Sequence, residues 1–169
     1  VRLDKKIASM IVEAAKPCVI LLNKWDLVQQ NTRKTATSAD YETYIADHLR
    51  GLHFAPFVCL SAKEKMNVFA ALDVAFSLFK QAGQRVGTSE LNKFLQNLRP
   101  PRQKGGRKPK IYFASQVEVE PPVFVFFVNE RDAFPPVFRR YVANQLRSSF
   151  SFPEIPLRLV FKNRESKNG

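Results

Sequence analysis

Apolar positions in the first half of the chain follow two rhythms. Leu3, Ile7, Met10, Ile11 and Ala14 recur at helical spacing and predict a helix over 3–15 with one apolar face. Pro17 stops it. Val19-Ile20-Leu21-Leu22 is then an unbroken apolar run, which predicts a buried parallel strand over 18–22. Residues 27–38 are polar and predict a loop, and Tyr41, Ile45, His48, Leu49 and Leu52 predict a second helix over 39–50, closed by Gly51. Phe57-Val58-Cys59-Leu60 predicts a second strand, and Val68, Leu72, Ala75, Phe76 and Phe79 predict a third helix over 67–82 with those residues on its buried face. Helix, strand, helix, strand, helix is the order of parallel strands joined by crossovers, so this half is expected to be a layered α/β domain.

The pattern changes near residues 83–88. Gly87 breaks the preceding helix, and Thr88 is expected to cap a short one carrying Leu91, Phe94, Leu95 and Leu98. Arg99-Pro100-Pro101 ends it, and residues 99–110 form a glycine- and proline-rich basic loop. Ile111–Ala114 starts a strand that the alternation at 116–120 extends, and Pro121-Pro122 breaks the run. Val123–Val128 carries the strongest β signal and is read as a central strand, its aromatics core rather than a stacking platform. Phe134-Pro135-Pro136 leads into a helix that buries Val137, Phe138, Tyr141, Val142, Ala143, Leu146 and Phe150, with Arg139, Arg140 and Arg147 pointing outward. Leu157–Phe161 is a last strand, followed by a polar tail over 162–169. Helix, strand, strand, helix, strand is a small α+β unit with helices on one face of a three-stranded sheet. The expected division is therefore 1–85 and 86–169.

Composition narrows the class. An apolar share of 45% with 15 Phe over 169 residues supplies two cores and excludes general disorder. No apolar run is long enough to span a bilayer, and no targeting segment is recognisable at the start. Cys18 and Cys59 are read as reduced, buried residues, and with His48 and His53 they show no metal-ligand spacing. The net charge of +12 favours a polyanionic partner, nucleic acid ahead of a membrane surface. In the basic loop, Arg99, Arg102, Lys104, Arg107, Lys108 and Lys110 stand without one acidic residue, a composition suited to phosphate contact. The plainer alternative is a solvated linker.

Two polar clusters follow the two parallel strands, where such sheets bind ligands. The first is Asn23-Lys24-Trp25-Asp26 and the second Ser61-Ala62-Lys63. A carboxylate with two acceptor oxygens matches the ring N–H and exocyclic amine of guanine, a pair adenine lacks. Asp26 is thus the candidate base reader, Asn23 a second anchor and Lys24 a stem along the base. Ala62 offers a backbone N–H to the guanine carbonyl, Lys63 a second stem, and Ser61 a hydroxyl that serves equally well as a turn residue.

These clusters, in this order and each after a strand, resemble the guanine-recognition motifs of P-loop GTPases, and Leu3–Ala8 resembles the helix after their second switch region. No Gly-x-x-x-x-Gly-Lys-Ser/Thr and no strand-borne Asp-x-x-Gly occurs, and Gly105-Gly106 is no phosphate loop. The resemblance implies the second half of a GTPase domain whose first half lies outside this chain. The segment as given has no catalytic residues and is not expected to hydrolyse GTP, because the phosphate loop and magnesium ligands are missing.

The second unit resembles a KH domain, though without the Gly-x-x-Gly loop between helices that clamps RNA. With Arg85–Ser89 at the joint, Asn129 after the central strand and Arg139–Arg147, nearly the whole chain resembles the carboxyl-terminal part of the double-GTPase Der (EngA) family. That resemblance implies a partial P-loop GTPase domain followed by a KH-like domain. It further implies GTP or GDP as ligand, with Mg²⁺ in the intact protein. The partners it implies are the preceding GTPase domain and the large ribosomal subunit with its RNA, in the cytoplasm or a eukaryotic organelle. The competing expectation is a non-catalytic RNA- or protein-binding module with an inert guanine half-site.

Overall fold

The computed structural model describes residues 2–30, 37–49, 51–100 and 108–164. They form two compact units, Val1–Gln81 with Glu154–Pro156, and Ala82–Pro153 with Leu157–Gly169. The fold is mixed α/β with two small sheets.

In the first unit α1 (Arg2–Ala14) precedes β1 (Ile20–Leu22), which pairs in parallel with β2 (Phe57–Cys59). Between them lie α2 (Trp25–Gln30) and α3 (Ser38–His48), and α4 (Val68–Ala82) follows β2. Helix α2 falls partly where a loop is expected. Its six residues include two Gln and bury none, so no apolar rhythm announces it. Helix α3 starts with a capping box: Asp40 N–H donates to the Thr37 hydroxyl at 3.3 Å, and Thr37 N–H donates to the Asp40 carboxylate at 2.7 Å. Donation from the Thr37 N–H, and from the Thr37 hydroxyl, holds the Asp40 carboxyl below its ordinary pKa. Ala8, Leu52 and Ala55 form the buried centre, with Ile11, Cys18, Ile20, Leu49 and Phe54 packed on it. The two cysteines are free and half-buried, and burial raises both thiols.

The expected burial of α4 is corrected here. Phe69 and Phe76 are 79% and 66% exposed, and Leu72 and Phe79 are exposed with them. The covered positions are Ala71, Val74, Leu78, Gln81 and Ala82, and of the expected face Val68 alone is half-buried. A helix apolar on nearly all sides offers two candidate faces, and the sequence cannot rank them. On α1, likewise, Leu3, Ile7 and Met10 are exposed and only Ala8 is buried.

The second unit starts with α5 (Thr88–Asn97), whose N-cap is Gly87 rather than the expected Thr88. Its sheet has the order β3-β4-β5: β3 (Ile111–Glu118) is antiparallel to β4 (Val123–Val128), and β4 is parallel to β5 (Arg158–Asn163). A short 3₁₀ turn over Arg131–Ala133 leads to α6 (Pro136–Ser149), with proline in its first turn. Strand β5 extends through Lys162 and Asn163, which the sequence assigns to the tail. Successive strand residues face opposite sides, so Phe124, Phe126 and Val128 share one face of β4. All three are fully buried, with Ala114, Phe134, Phe138, Val142, Leu146, Phe152 and Phe161. Phe126 stacks on Phe161 at 4.9 Å and Phe124 meets Phe152 edge-on at 5.8 Å. Val137 is 75% exposed, against expectation, because the buried stripe of α6 runs through Phe138, Val142 and Leu146.

One buried polar side chain organises the entry to this unit. Gln116, on β3, accepts from Val86 N–H at 2.7 Å and donates to the carbonyls of Gln84 at 3.0 Å and Glu118 at 3.2 Å. Gln116→Leu leaves three backbone groups without this partner, and is expected to cost about 3 kcal/mol. The urea midpoint measures it, and a loss below about 1 kcal/mol would mean that water replaces the amide.

Candidate functional site

The two polar clusters meet at one edge of the parallel pair. Leu60 N–H donates to Leu22 O at 3.0 Å, and Trp25 N–H donates to Leu60 O at 3.0 Å, so the chain leaving β1 is stitched to the end of β2. Asn23 completes the connection: its Oδ1 accepts from Lys24 N–H at 2.8 Å and Ala62 N–H at 3.1 Å. Lys24 turns the chain into α2 through a left-handed backbone, φ 63°. This places Asp26 in the first turn of α2. Its Oδ1 is buried and has no hydrogen-bond partner. A buried acceptor without a donor is costly unless a ligand supplies one, and guanine supplies two N–H groups. The residues present therefore fit a guanine base at Asp26.

The second cluster is a closed turn. Ser61 and Met66 exchange backbone hydrogen bonds at 3.1 and 3.0 Å, and the fully buried Ser61 accepts from Glu64 N–H through its hydroxyl at 3.2 Å. Asn67 donates to Cys59 O at 2.9 Å and holds the far end. Ser61 thus has the turn role. Lys63 is exposed and pairs with Glu64 at 3.2 Å, a contact of little energetic weight. The Ala62 N–H, expected to face a base carbonyl, is donated to Asn23 in this arrangement. A guanine oxygen would have to share or replace that acceptor. Asn23→Ala should raise the hydrogen-exchange rate of the Ala62 amide roughly tenfold, the equivalent of one neutral hydrogen bond. An unchanged rate would show that the turn holds Ala62 by itself.

The basic residues divide. Arg102, Lys104 and Arg107 lie outside the described residues. Arg99, Lys108, Lys110 and Arg140 are exposed. Asn129 clamps the second stem of the basic loop: Lys110 N–H donates to its Oδ1 at 2.9 Å and its Nδ2 donates to Lys108 O at 2.8 Å. Arg99 borders an open depression of about 540 Å³ lined by Pro135, Val137, Phe138 and Tyr141. Arg139 does not point outward: it donates to Phe134 O at 3.0 Å and lies over the Phe161 ring at 5.1 Å. Arg147 is half-buried, which lowers its pKa from the ordinary arginine value.

Sequence reasoning missed one surface. Phe127, read as core, lies on the opposite face of β4 from Phe126 and stacks on Phe113 at 4.3 Å. The alternation Phe113, Ser115, Val117 was the available signal for an open face.

The geometry defines a KH-like α+β domain following a small α/β unit with a polar ligand edge. Residues 85–162 match the family model described as the KH-domain-like, C-terminal domain of EngA bacterial GTPase enzymes, so that segment is a KH-like domain of this type. It is 38% identical over 167 residues to the protein named GTPase Der of Heliobacterium modesticaldum, which covers 97% of this chain and 37% of the relative. GTPase Der of Desulfitobacterium hafniense is likewise 38% identical over 167 residues, and that of Chloroflexus aggregans is 35% identical over 168. The chain spans about 37% of the length of these curated relatives.

Proposed function

We propose that this chain carries the guanine-recognising half of a P-loop GTPase domain, over 1–85, joined to a KH-like interaction domain, over 86–169. In this reading the full-length protein is a GTP-binding factor that acts in assembly of the large ribosomal subunit. The observation that carries the nucleotide reading is the buried, unpartnered Oδ1 of Asp26 at the edge where Asn23 and Ala62 meet. Asp26 takes the guanine N–H groups, Lys24 and Lys63 flank the ring, and Asn23, Ser61 and Ala62 hold the two loops in register. GTP and GDP are the ligands, and Mg²⁺ in the full-length protein supplies charge neutralisation at the phosphates.

The exposed faces of α1 and α4 support a further segment of the same protein as neighbour. Leu3, Ile7, Met10, Phe69, Leu72, Phe76 and Phe79 are too large an apolar set for a surface facing water alone. The net charge of +12 supports an RNA partner. Arg99, Arg102, Lys104, Arg107, Lys108, Lys110 and Arg140 are its proposed phosphate contacts, whereas the head groups of Arg139 and Arg147 are turned to the protein. Among the described residues no helix is long and apolar enough to cross a membrane. A cytoplasmic site of action fits a ribosomal partner. A second reading, an interaction module with an inert half-site, draws on the donation of the Ala62 N–H to Asn23.

The test uses the full-length protein. GTP should bind at least roughly a hundredfold more tightly than ATP, since the wrong base leaves Asp26 buried and unpaired. Co-sedimentation with large-subunit particles should differ between GTP and GDP. Equal binding of ATP and GTP removes the guanine site, and equal sedimentation with GTP, GDP and no nucleotide removes the switch.

A further inference from the structure

The sheet of the second unit has a helix-covered face holding Phe124 and Phe126 and a second face that is open at one end. Register places Phe113, Phe127 and Lys162 in one transverse row across β3, β4 and β5 on that second face. Phe113 and Phe127 are stacked at 4.3 Å with 14° between their planes, and Phe113 is 39% exposed. Further along the same face Val123 and Val125 are buried and Val117 is exposed, so the aromatic part of the open surface lies at the Phe113 end. Cations gather there. Lys110 Nζ and Arg164 Cζ lie 5.2 and 5.0 Å from the centre of the Tyr112 ring, and Lys162 projects beside Phe127. Among the described residues none of these three cations has a carboxylate partner. Among the described residues the carboxylates that follow β4 at this end are Glu130 and Asp132, and Asp132 is held by Arg131 at 3.3 Å. Glu118 and Glu120 lie at the opposite end of β3.

We propose that this sheet face, rather than a groove between helices, takes unpaired nucleobases of an RNA strand: a base extends the Phe127–Phe113 stack while Lys110, Lys162 and Arg164 hold the adjoining phosphates. The proposal rests on the nucleic-acid part of the reading above and adds single-strandedness and a site to it. An aromatic face recognises any base and is blocked by pairing, because a duplex keeps its bases stacked on each other. The cations supply affinity without sequence. Exposed rings and unpaired positive charge side by side complement a base and its phosphate together.

The test is titration of this chain with a fluorescein-labelled 12-mer RNA of mixed sequence, single-stranded and as its duplex. The single strand should bind more tightly than the duplex. Phe113→Leu, which keeps an apolar side chain but removes the ring, should weaken single-strand binding roughly tenfold and leave the salt slope unchanged. Lys110→Gln should lower that slope by about one. Phe113→Trp should retain affinity, and quenching of its fluorescence by RNA should differ from that of Trp25 in the parent, which separates loss of stacking from loss of folding. Equal binding of duplex and single strand, or wild-type affinity in Phe113→Leu, overturns the stacking site while leaving phosphate contact intact. Absence of RNA binding in the parent chain overturns the nucleic-acid reading with it.

Discussion

Asp26→Asn in the full-length protein is expected to lower GTP affinity by two orders of magnitude and to transfer preference to xanthosine triphosphate. The carboxylate presents two acceptors, and its Oδ1 sits buried with no donor of its own. Guanine brings two N–H groups, so the pair forms two charge-assisted hydrogen bonds. An asparagine keeps one acceptor and turns a donor toward a donor. Losing one such bond and opposing the other costs about 3 kcal/mol, roughly a hundred- to two-hundredfold. Xanthine carries a carbonyl where guanine has its amine, so the same asparagine meets it with the correct polarity. Isothermal titration with both nucleotides measures the switch. Undiminished GTP affinity in Asp26→Asn would remove this residue from base reading.

Phe126→Ala should unfold the second unit under conditions where the parent is stable. Phe126 is fully buried in the central strand, is stacked on Phe161 at 4.9 Å, and pairs in register with Ala114 and with Phe161. Its neighbours are fixed by other rings, Phe134 at 5.4 Å from Phe161 and Phe138 at 6.5 Å, so they cannot collapse into the space left. Removal of a phenyl ring from a site that cannot relax costs about 3–5 kcal/mol. For a unit of this size that corresponds to a fall in Tm of roughly 15 °C or more. Thermal unfolding followed by near-ultraviolet circular dichroism reads it. A fall below about 5 °C would show that the ring cluster repacks.

How much of this was legible depended on the physical signal each element carries. Strand β4 announced itself, because six consecutive apolar residues bounded by Pro122 and Asn129 admit little else. Its two faces were not legible: an unbroken apolar run contains no alternation, so Phe127 could not be told from Phe126. The short α2 was missed because six residues, less than two turns, are too few to show a helical period. The guanine candidates were found by spacing after strands. The bond from the Ala62 amide to Asn23 is a tertiary contact across 39 residues and could not be anticipated. Arginine on a helix reads as exposed by default. Arg139 departs from that default because Phe134 O and the Phe161 ring, from two other elements, give its head group partners.

The sequence alone determined the order and type of the major elements, the placement of two polar clusters after parallel strands, and a charge suited to polyanions. Those follow from local properties: periodicity, proline and glycine positions, and residue chemistry. Tertiary structure decided which side of α4 is covered and that Gln116 ties three backbone groups. It also left Asp26 Oδ1 buried without a donor and brought Phe113, Phe127 and Lys162 into one row. Each of these depends on strand register or on packing between segments distant in the chain, which local pattern does not encode.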